Sequence, residues 1–317
     1  ICPEFIFSGS FFRKYVKLIV EMGLFKKLYQ YFIFVRPFAF VGIFFAFVLS
    51  SLVAISTGSN ITYSWFLIII GAFSCGLLAS AAHTINNIYD LEIDKINKPF
   101  RGLPSKKINL RESWIITIIF YLFSLFLAFY IGWFFFILVL IMSFFTIVYS
   151  IPFLNLKKHW FTANLVISIP RGLLIIVAGW SVVRGVYNIL PWYIGLMLFL
   201  FLWGAISTKD IADIKGDKLR GFSTLPVKYG LNKTVKIITP FFILPFLLIV
   251  FGFWVGIFNI YVLPLTFLIF YVFYIIWLIK KYPRRLTKIE RNHIAWKHVY
   301  ILYMLLQIGI TVSFLIK

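Results

Sequence analysis

Nine long apolar runs, parted by short polar stretches, set the rhythm of this chain. They fall at about 38–57, 64–88, 113–131, 133–151, 161–183, 190–208, 237–256, 260–279 and 296–316. Each reaches the roughly 20 residues that an α-helix needs to cross a hydrocarbon core. The runs are continuous, whereas barrel strands alternate apolar and polar positions, so the pattern predicts helices. The expected fold class is all-α, a multi-pass membrane bundle of nine transmembrane helices.

Composition sharpens that reading. At 62% hydrophobic and 13% charged residues, the chain holds more apolar surface than a soluble domain can bury. The net charge of +21 is not a nucleic-acid footprint, because its distribution follows the membrane. Lys and Arg gather in the N-terminal segment, in 95–111, at Lys157 and Lys158, in 209–236 and in 280–297. Apart from the N-terminal segment, those are the stretches after even-numbered runs. The opposite side carries Arg184 and Lys317. By the positive-inside rule the N-terminus and the basic loops are cytoplasmic and the C-terminus is outside. No nucleic-acid partner is expected.

Cys2 and Cys75 have neither disulfide nor metal-ligand spacing. Residues 1–21 contain no spanning run and no small-residue cleavage site, which argues against a signal peptide. The chain begins with Ile, and Met22-Gly23-Leu24-Phe25-Lys26-Lys27 is a natural membrane-protein start. The reading therefore sets 1–27 apart as an N-terminal extension, native from Met22, and takes 28–317 as one membrane domain.

All five aspartates lie in two clusters, Asn86-Asn87-Ile88-Tyr89-Asp90-Leu91-Glu92-Ile93-Asp94 and Asp210-Ile211-Ala212-Asp213-Ile214-Lys215-Gly216-Asp217. Carboxylates at a bilayer edge are costly and mark function. On a helix, Asn86, Asp90 and Asp94 line one face, and so do Asp210, Asp213 and Asp217. The second and sixth runs point the same way and deliver both clusters to the cytoplasmic rim, which hints at a four-helix unit used twice with a ninth helix added. Two such faces would form an oxygen-rich cup suited to a hard cation such as Mg²⁺. Bases interleave with these acids: Lys95, Lys98 and Arg101 after the first cluster, and Lys209, Lys215, Lys218, Arg220 and Lys228 through the second. A metal-bound diphosphate fits that mixture, its remaining charge neutralised by Lys and Arg.

Lesser signals are read against plainer explanations. The Lys and Arg residues of 280–297 are taken as solvated interfacial charges, His83 as a packed helix histidine, and His293 and His298 as interfacial. Arg171, inside the fifth run, is a functional candidate whose natural partner is a phosphate or a carboxylate. Aromatic residues are everywhere, so no ring stands out as a cavity wall. A cation-coupled transporter is the contrasting class, but transporters bind near the midplane through broken helices, and these acids sit at the rim among cations. A lipid-binding scaffold would not need two metal-grade clusters.

The first cluster resembles the NDxxDxxxD motif of the UbiA family of intramembrane prenyltransferases, and the second resembles its DxxxD motif. Arg36-Pro37 entering the first run and Tyr149-Ser150-Ile151-Pro152 before Lys157 extend the likeness over nearly the whole chain after residue 28. It implies a bundle around a central cavity, a Mg²⁺-diphosphate site (Mn²⁺ as a substitute) and a side opening for an isoprenoid tail. The implied metal set is Asn86, Asp90, Asp94, Asp210, Asp213 and Asp217. The implied diphosphate set is Asn86, Lys95, Arg101, Lys209 and Arg36, and the catalytic set is Asp90, Asp94, Asp213, Asp217, Lys157 and Arg171. Asn87 stands where the family often has Asp; being off the metal-facing stripe, it is expected to matter little for metal.

The implied reaction transfers a polyprenyl group, geranylgeranyl by expectation, from its diphosphate to a lipid-soluble or amphipathic acceptor. It would take place in the plasma membrane with the active site on the cytoplasmic side. Lys209-Asp210-Ile211, Gly216-Asp217 and Thr224-Leu225-Pro226 are most similar to the subgroup of geranylgeranylglyceryl phosphate transferases and chlorophyll synthases. The expected acceptor is geranylgeranylglyceryl phosphate in ether-lipid synthesis. Aromatic or tetrapyrrole acceptors of the 4-hydroxybenzoate, homogentisate or chlorophyllide type are the alternative.

Overall fold

The computed structural model describes residues 23–58, 62–154, 156–287 and 291–316. The expected start at Met22 and the reading of residues 1–21 lie outside the described residues. Among the described residues, nine helices are long and apolar enough to cross a membrane. A short amphipathic helix α1 (Leu24–Phe34) runs through residue 27 without a break and leads into α2 (Pro37–Ser56). Then follow α3 (Trp65–Tyr89), the short α4 (Leu91–Asn97), α5 (Leu110–Ile131) and α6 (Trp133–Ser150). The second half holds α7 (Trp160–Ser181), α8 (Ile189–Asp210), the short α9 (Ile214–Leu219), α10 (Leu225–Trp254), α11 (Ile260–Lys281) and α12 (Ile294–Leu315).

Eight of the nine expected runs agree with the observed spans to within a few residues. The exception is α10, which starts at Leu225 rather than near 237. Its first turns carry Lys228, Lys233 and Lys236, so hydropathy hides a helix that projects beyond the apolar slab. Gly230, at φ 72° and ψ 171°, bends it where it leaves that slab. A left-handed backbone of this kind is open to glycine at little cost.

The spans form a ring in which each helix packs on its chain neighbour, and α12 closes the ring against α2. The second half of α7 also packs on α2. Because lipid is as apolar as leucine, packing and hydrogen bonds between helices take over from the hydrophobic effect. Between α3 and α5, Ser74 Oγ donates to the Ser124 carbonyl and Ser124 Oγ to the Ser74 carbonyl, each at 2.8 Å. Between α2 and α7, Ser50 Oγ donates to Ile176 O at 2.6 Å and Ser51 Oγ to Gly179 O at 2.7 Å.

Helix ends are secured at the loops. Asn109 and Glu112 form a reciprocal capping box on α5, satisfying two backbone donors at once. Lys27 pairs with the same Glu112 at 3.0 Å and so ties α1 to the bundle.

The α2–α7 contact depends on Gly179, where a Cβ would overlap the carbonyl oxygen of Phe47. Gly179→Val should therefore lower the thermal midpoint of the detergent-solubilised protein, with an overpacking cost of roughly 1–3 kcal/mol. Gly42→Ala is the control, since its Cβ would meet Tyr300 at an ordinary 3.8 Å. Equal midpoints for the two variants would refute the close approach.

Candidate active site

The acidic stripes survive the ends of their helices. The last residue of α3 is Tyr89, and Asp90 leaves helical geometry at φ −90° and ψ 9°. Even so, Asp90 N donates to Asn86 O at 2.9 Å, and Asp94 N donates to Asp90 O at 2.8 Å. In the second cluster Asp213 N donates to Asp210 O at 3.1 Å and Asp217 N to Asp213 O at 3.0 Å. Unbroken four-residue and three-residue backbone bonds keep each stripe on one side.

Both stripes face a single cavity of about 160 Å³. Asn86, Asp90, Asp94, Asp210, Asp213 and Asp217 all line it, as do Arg36, Arg101, Lys157, Arg171 and Lys209. The two motifs meet directly. Asn97 accepts from Gly216 N at 3.0 Å and donates to Asp213 O at 3.2 Å. A Cβ at Gly216 would overlap the Asn97 side chain, so glycine is what lets the second motif dock on the first.

Acids and bases interdigitate in pairs. Lys157 Nζ reaches both oxygens of Asp90 at 2.8 and 2.9 Å. Arg101 Nη1 reaches both oxygens of Asp94 at 2.9 and 2.7 Å. Lys98 Nζ donates to Asp213 Oδ2 at 2.9 Å and to Asn292 Oδ1 at 3.1 Å. Burial pulls Lys98 below the usual lysine range despite the Asp213 carboxylate beside it. Among the described residues Asp217 has no such cation: burial first, and then the Asp210 and Asp213 carboxylates, push its carboxyl up to about 8. Tyr149 lies between two ammonium groups, with Lys157 at 4.8 Å and Lys209 at 5.9 Å from its ring centre.

Among the described residues, two acceptor oxygens in this cavity are buried with no hydrogen-bond partner, Asn86 Oδ1 and Asp213 Oδ1. Orphaned oxygens among carboxylates are a donor set that a hard, oxygen-seeking cation satisfies. The oxygen donors present suit a divalent metal, although among the described residues no three acidic, imidazole or thiol side chains stand close enough together to hold one in this arrangement.

Some sequence expectations need correction. Lys95 does not line the cavity; it pairs with Glu92 at 2.6 Å and is half exposed. One residue past Asp94 is about 100° around a helix, which turns Lys95 outward. Lys98, three residues further on, is the cation turned inward. His83 is no packing residue but a cavity wall between two guanidinium groups, with Arg36 Nη1 3.2 Å from Nδ1 and Arg171 Nη2 3.2 Å from Nε2. His293, at the N-terminal end of α12, is fully buried, and its Nδ1 accepts from Ala295 N at 3.2 Å and so caps that helix.

Arg36 sits in the left-handed region at φ 52° and ψ 69°, a strained state for a side-chain-bearing residue. That turn, together with Asn87 Oδ1 accepting from Nη2 at 3.1 Å, directs its guanidinium into the cavity. Arg171 occupies a π-helical turn, Ile169–Leu174, within α7, the kind of bulge that often marks a functional site. The aromatic wall that sequence could not single out comprises Phe38, Phe145, Tyr149, Phe222, Trp296 and Tyr300.

Fold and site together define an intramembrane helical bundle with a paired-carboxylate, cation-lined cavity at one end. The UbiA prenyltransferase family model matches residues 41–295, and the chain belongs to that family. A digeranylgeranylglyceryl phosphate synthase from Methanosphaera stadtmanae is 35% identical over 176 residues, 56% of this chain and 62% of that protein. This match therefore spans less than two thirds of that relative's length. The protein of the same name from Saccharolobus solfataricus is 30% identical over 230 residues, 71% of this chain and 79% of its own. A solved structure described as digeranylgeranylglyceryl phosphate synthase aligns with TM-score 0.65 at 25% identity, covering 92% of this chain and 98% of that one. A UbiA homologue from Archaeoglobus fulgidus bound to GPP and Mg²⁺ has the same fold, with TM-score 0.69 at 20% identity over 90% of this chain and 98% of that one.

Single changes Asp90→Ala, Asp94→Ala, Asp213→Ala and Asp217→Ala should each cut prenyl transfer by at least about a hundredfold, the scale of losing a main electrostatic stabiliser. Lys98→Ala should also impair transfer, whereas Lys95→Ala should leave it within about twofold. Initial rates on purified protein decide this; loss of activity in Lys95→Ala would contradict the geometry.

Proposed function

We propose that this protein transfers a geranylgeranyl group from its diphosphate to geranylgeranylglyceryl phosphate, in the presence of Mg²⁺, at the cytoplasmic face of the membrane. One observation carries the choice of acceptor. Beyond the carboxylate-paired cations, the cavity holds Arg171, which makes no ion pair with a carboxylate among the described residues. A phosphorylated acceptor brings a second anion, and a cation beyond those serving the diphosphate suits it. The names of the archaeal relatives agree with that acceptor. The basic stretches cluster at the same end as the cavity, which supports a cytoplasmic site and a cytoplasmic N-terminus.

Asn86, Asp90, Asp94, Asp210, Asp213 and Asp217 would hold Mg²⁺, which when bound supplies Lewis-acid polarisation of the diphosphate oxygens. The protein's own part is an exchange of partners. Lys157, Arg101 and Lys98 bond carboxylates in the ligand-free site; an incoming diphosphate takes over those donors and leaves the carboxylate oxygens open. The cations then stabilise the charge that grows as the allylic C–O bond breaks and its electron pair departs with the diphosphate. Tyr149, Trp296 and Tyr300 offer π-faces to the allylic cation that remains. The acceptor hydroxyl oxygen bonds that carbon and passes its proton to the released diphosphate, completing an ether.

Two measurements test the proposal. Excess chelator should abolish turnover, and Mg²⁺ or Mn²⁺ should restore it; full activity in chelator would remove the metal from the reading. Arg171→Gln should raise the apparent KM for geranylgeranylglyceryl phosphate about ten- to a hundredfold while leaving that for the prenyl diphosphate nearly unchanged. That ratio corresponds to roughly 1.5–3 kcal/mol for a lost charge-assisted contact. Equal shifts in both constants, with turnover on aromatic acceptors alone, would favour the quinone-type reaction.

A further inference from the structure

His83 stands one turn before Asn86 on the cavity side of α3, with a guanidinium against each ring nitrogen. Guanidinium groups only donate, and a neutral imidazole has one N–H and one lone pair. Both contacts therefore cannot be hydrogen bonds. With a neutral ring one of them sets N–H against N–H, and with a protonated ring both do. The conflict exists in either charge state and follows from geometry alone.

The surroundings decide which contact is the hydrogen bond. Arg36 is held twice, by His83 Nδ1 at 3.2 Å and by Asn87 Oδ1 at 3.1 Å. The tautomer that leaves Nδ1 as the acceptor keeps Arg36 bonded to both His83 and Asn87 and points Nε2–H at Arg171, and it is the one assigned here. Two donors then face one place, and an acceptor oxygen within reach of both relieves their opposition. A phosphate oxygen is the ligand chemistry that takes hydrogen bonds from an imidazole N–H and a guanidinium at once.

We infer that His83 is a substrate-binding residue whose Nε2–H, together with Arg171, donates to the phosphate oxyanion of the acceptor. This rests on the phosphorylated-acceptor reading above and adds to it the residue that completes the second anion site. Because Nδ1 is engaged by Arg36 and Nε2 carries its proton, the ring serves as a donor here and not as a proton acceptor. The stripe of the first motif accordingly begins one turn before Asn86, at 83, and its first member recognises a different anion from the rest.

Steady-state kinetics of the full-length purified protein test the inference. His83→Phe keeps a ring and removes both nitrogens; it should raise the apparent KM for geranylgeranylglyceryl phosphate about tenfold or more, with the KM for the prenyl diphosphate within about twofold. His83→Gln keeps an N–H donor and should recover most of the loss. His83→Glu has carboxylate oxygens that can pair with the flanking arginines, so it remains informative even if the Phe variant misfolds. It should raise the acceptor KM further by repelling phosphate. Unchanged acceptor KM in both Phe and Glu variants overturns the inference and returns His83 to packing. A rise confined to the prenyl diphosphate overturns it too, by assigning the oxyanion to the donor substrate. Failure of the wild-type protein to turn over any phosphorylated acceptor would instead defeat the proposed function itself, an outcome distinct from normal wild-type turnover with insensitive variants.

Discussion

Taking a carboxylate out of water costs several kcal/mol unless a cation goes with it, and the cavity end of this bundle meets that cost mainly with cations drawn from the loops. Asp90, Asp94 and Asp213 each receive a lysine or arginine from elsewhere in the chain: Lys157 after α6, Arg101 after α4 and Lys98 at the end of α4. Burial and the neighbouring carboxylates push the Asp217 carboxyl up to about 8. The loops follow from these pairings. Arg101 reaches back to Asp94 while Leu103 and Ile108 pack with Ile88 and Leu91, and Asn97 clamps the second cluster against the first. The arrangement that makes the empty site tolerable also stocks it with the donors that an anionic, metal-bound ligand requires.

How far this was readable in the chain differs by level. Spans were legible because a bilayer imposes a length on hydropathy; only α10 escaped, since lysines 228, 233 and 236 mask a helix that outruns the membrane. The acidic stripes were legible because spacings of three and four residues put groups on one side of a helix, and that survives the breaks at Asp90 and Asp213. Choosing among the bases was harder. Lys95 and Lys98 both lie within one turn of Asp94 in sequence, and only the turn of α4 decides that Lys98 faces Asp213 while Lys95 pairs with Glu92. Asn292 was invisible because its role exists only through a contact 194 residues away. His83 was misjudged because the base rate for a helix histidine favours packing, and neither arginine that flanks it is its sequence neighbour.

Asn87 shows how a departure from a motif acquires meaning in three dimensions. It is off the metal-facing stripe, as its spacing requires, yet it is buried and bonded to Arg36. An amide can orient a guanidinium without bringing a charge of its own. An aspartate in the same place would both orient and neutralise. The chain therefore fixes Arg36 in direction while adding no negative charge through that contact, at the cavity wall where His83 and Arg171 also stand.

Helix α7 has to meet two demands that a regular helix cannot satisfy together. Its second half must present Gly179 to α2, where backbones approach too closely for any side chain. Its middle must turn Arg171 toward the cavity, and Gly172 must lie against the backbone of Phe199 on α8. A π-turn inserts one residue and so shifts the facing of everything before it by about 100° relative to everything after. The turn at Ile169–Leu174 falls between the two demands. Pro170 has no N–H to lose there, and the Arg171 carbonyl accepts from Tyr303 Oη on α12 at 2.6 Å. The bulge that aims the cation is thereby pinned by the helix that closes the ring, so the direction of Arg171 depends on the closure of the bundle itself.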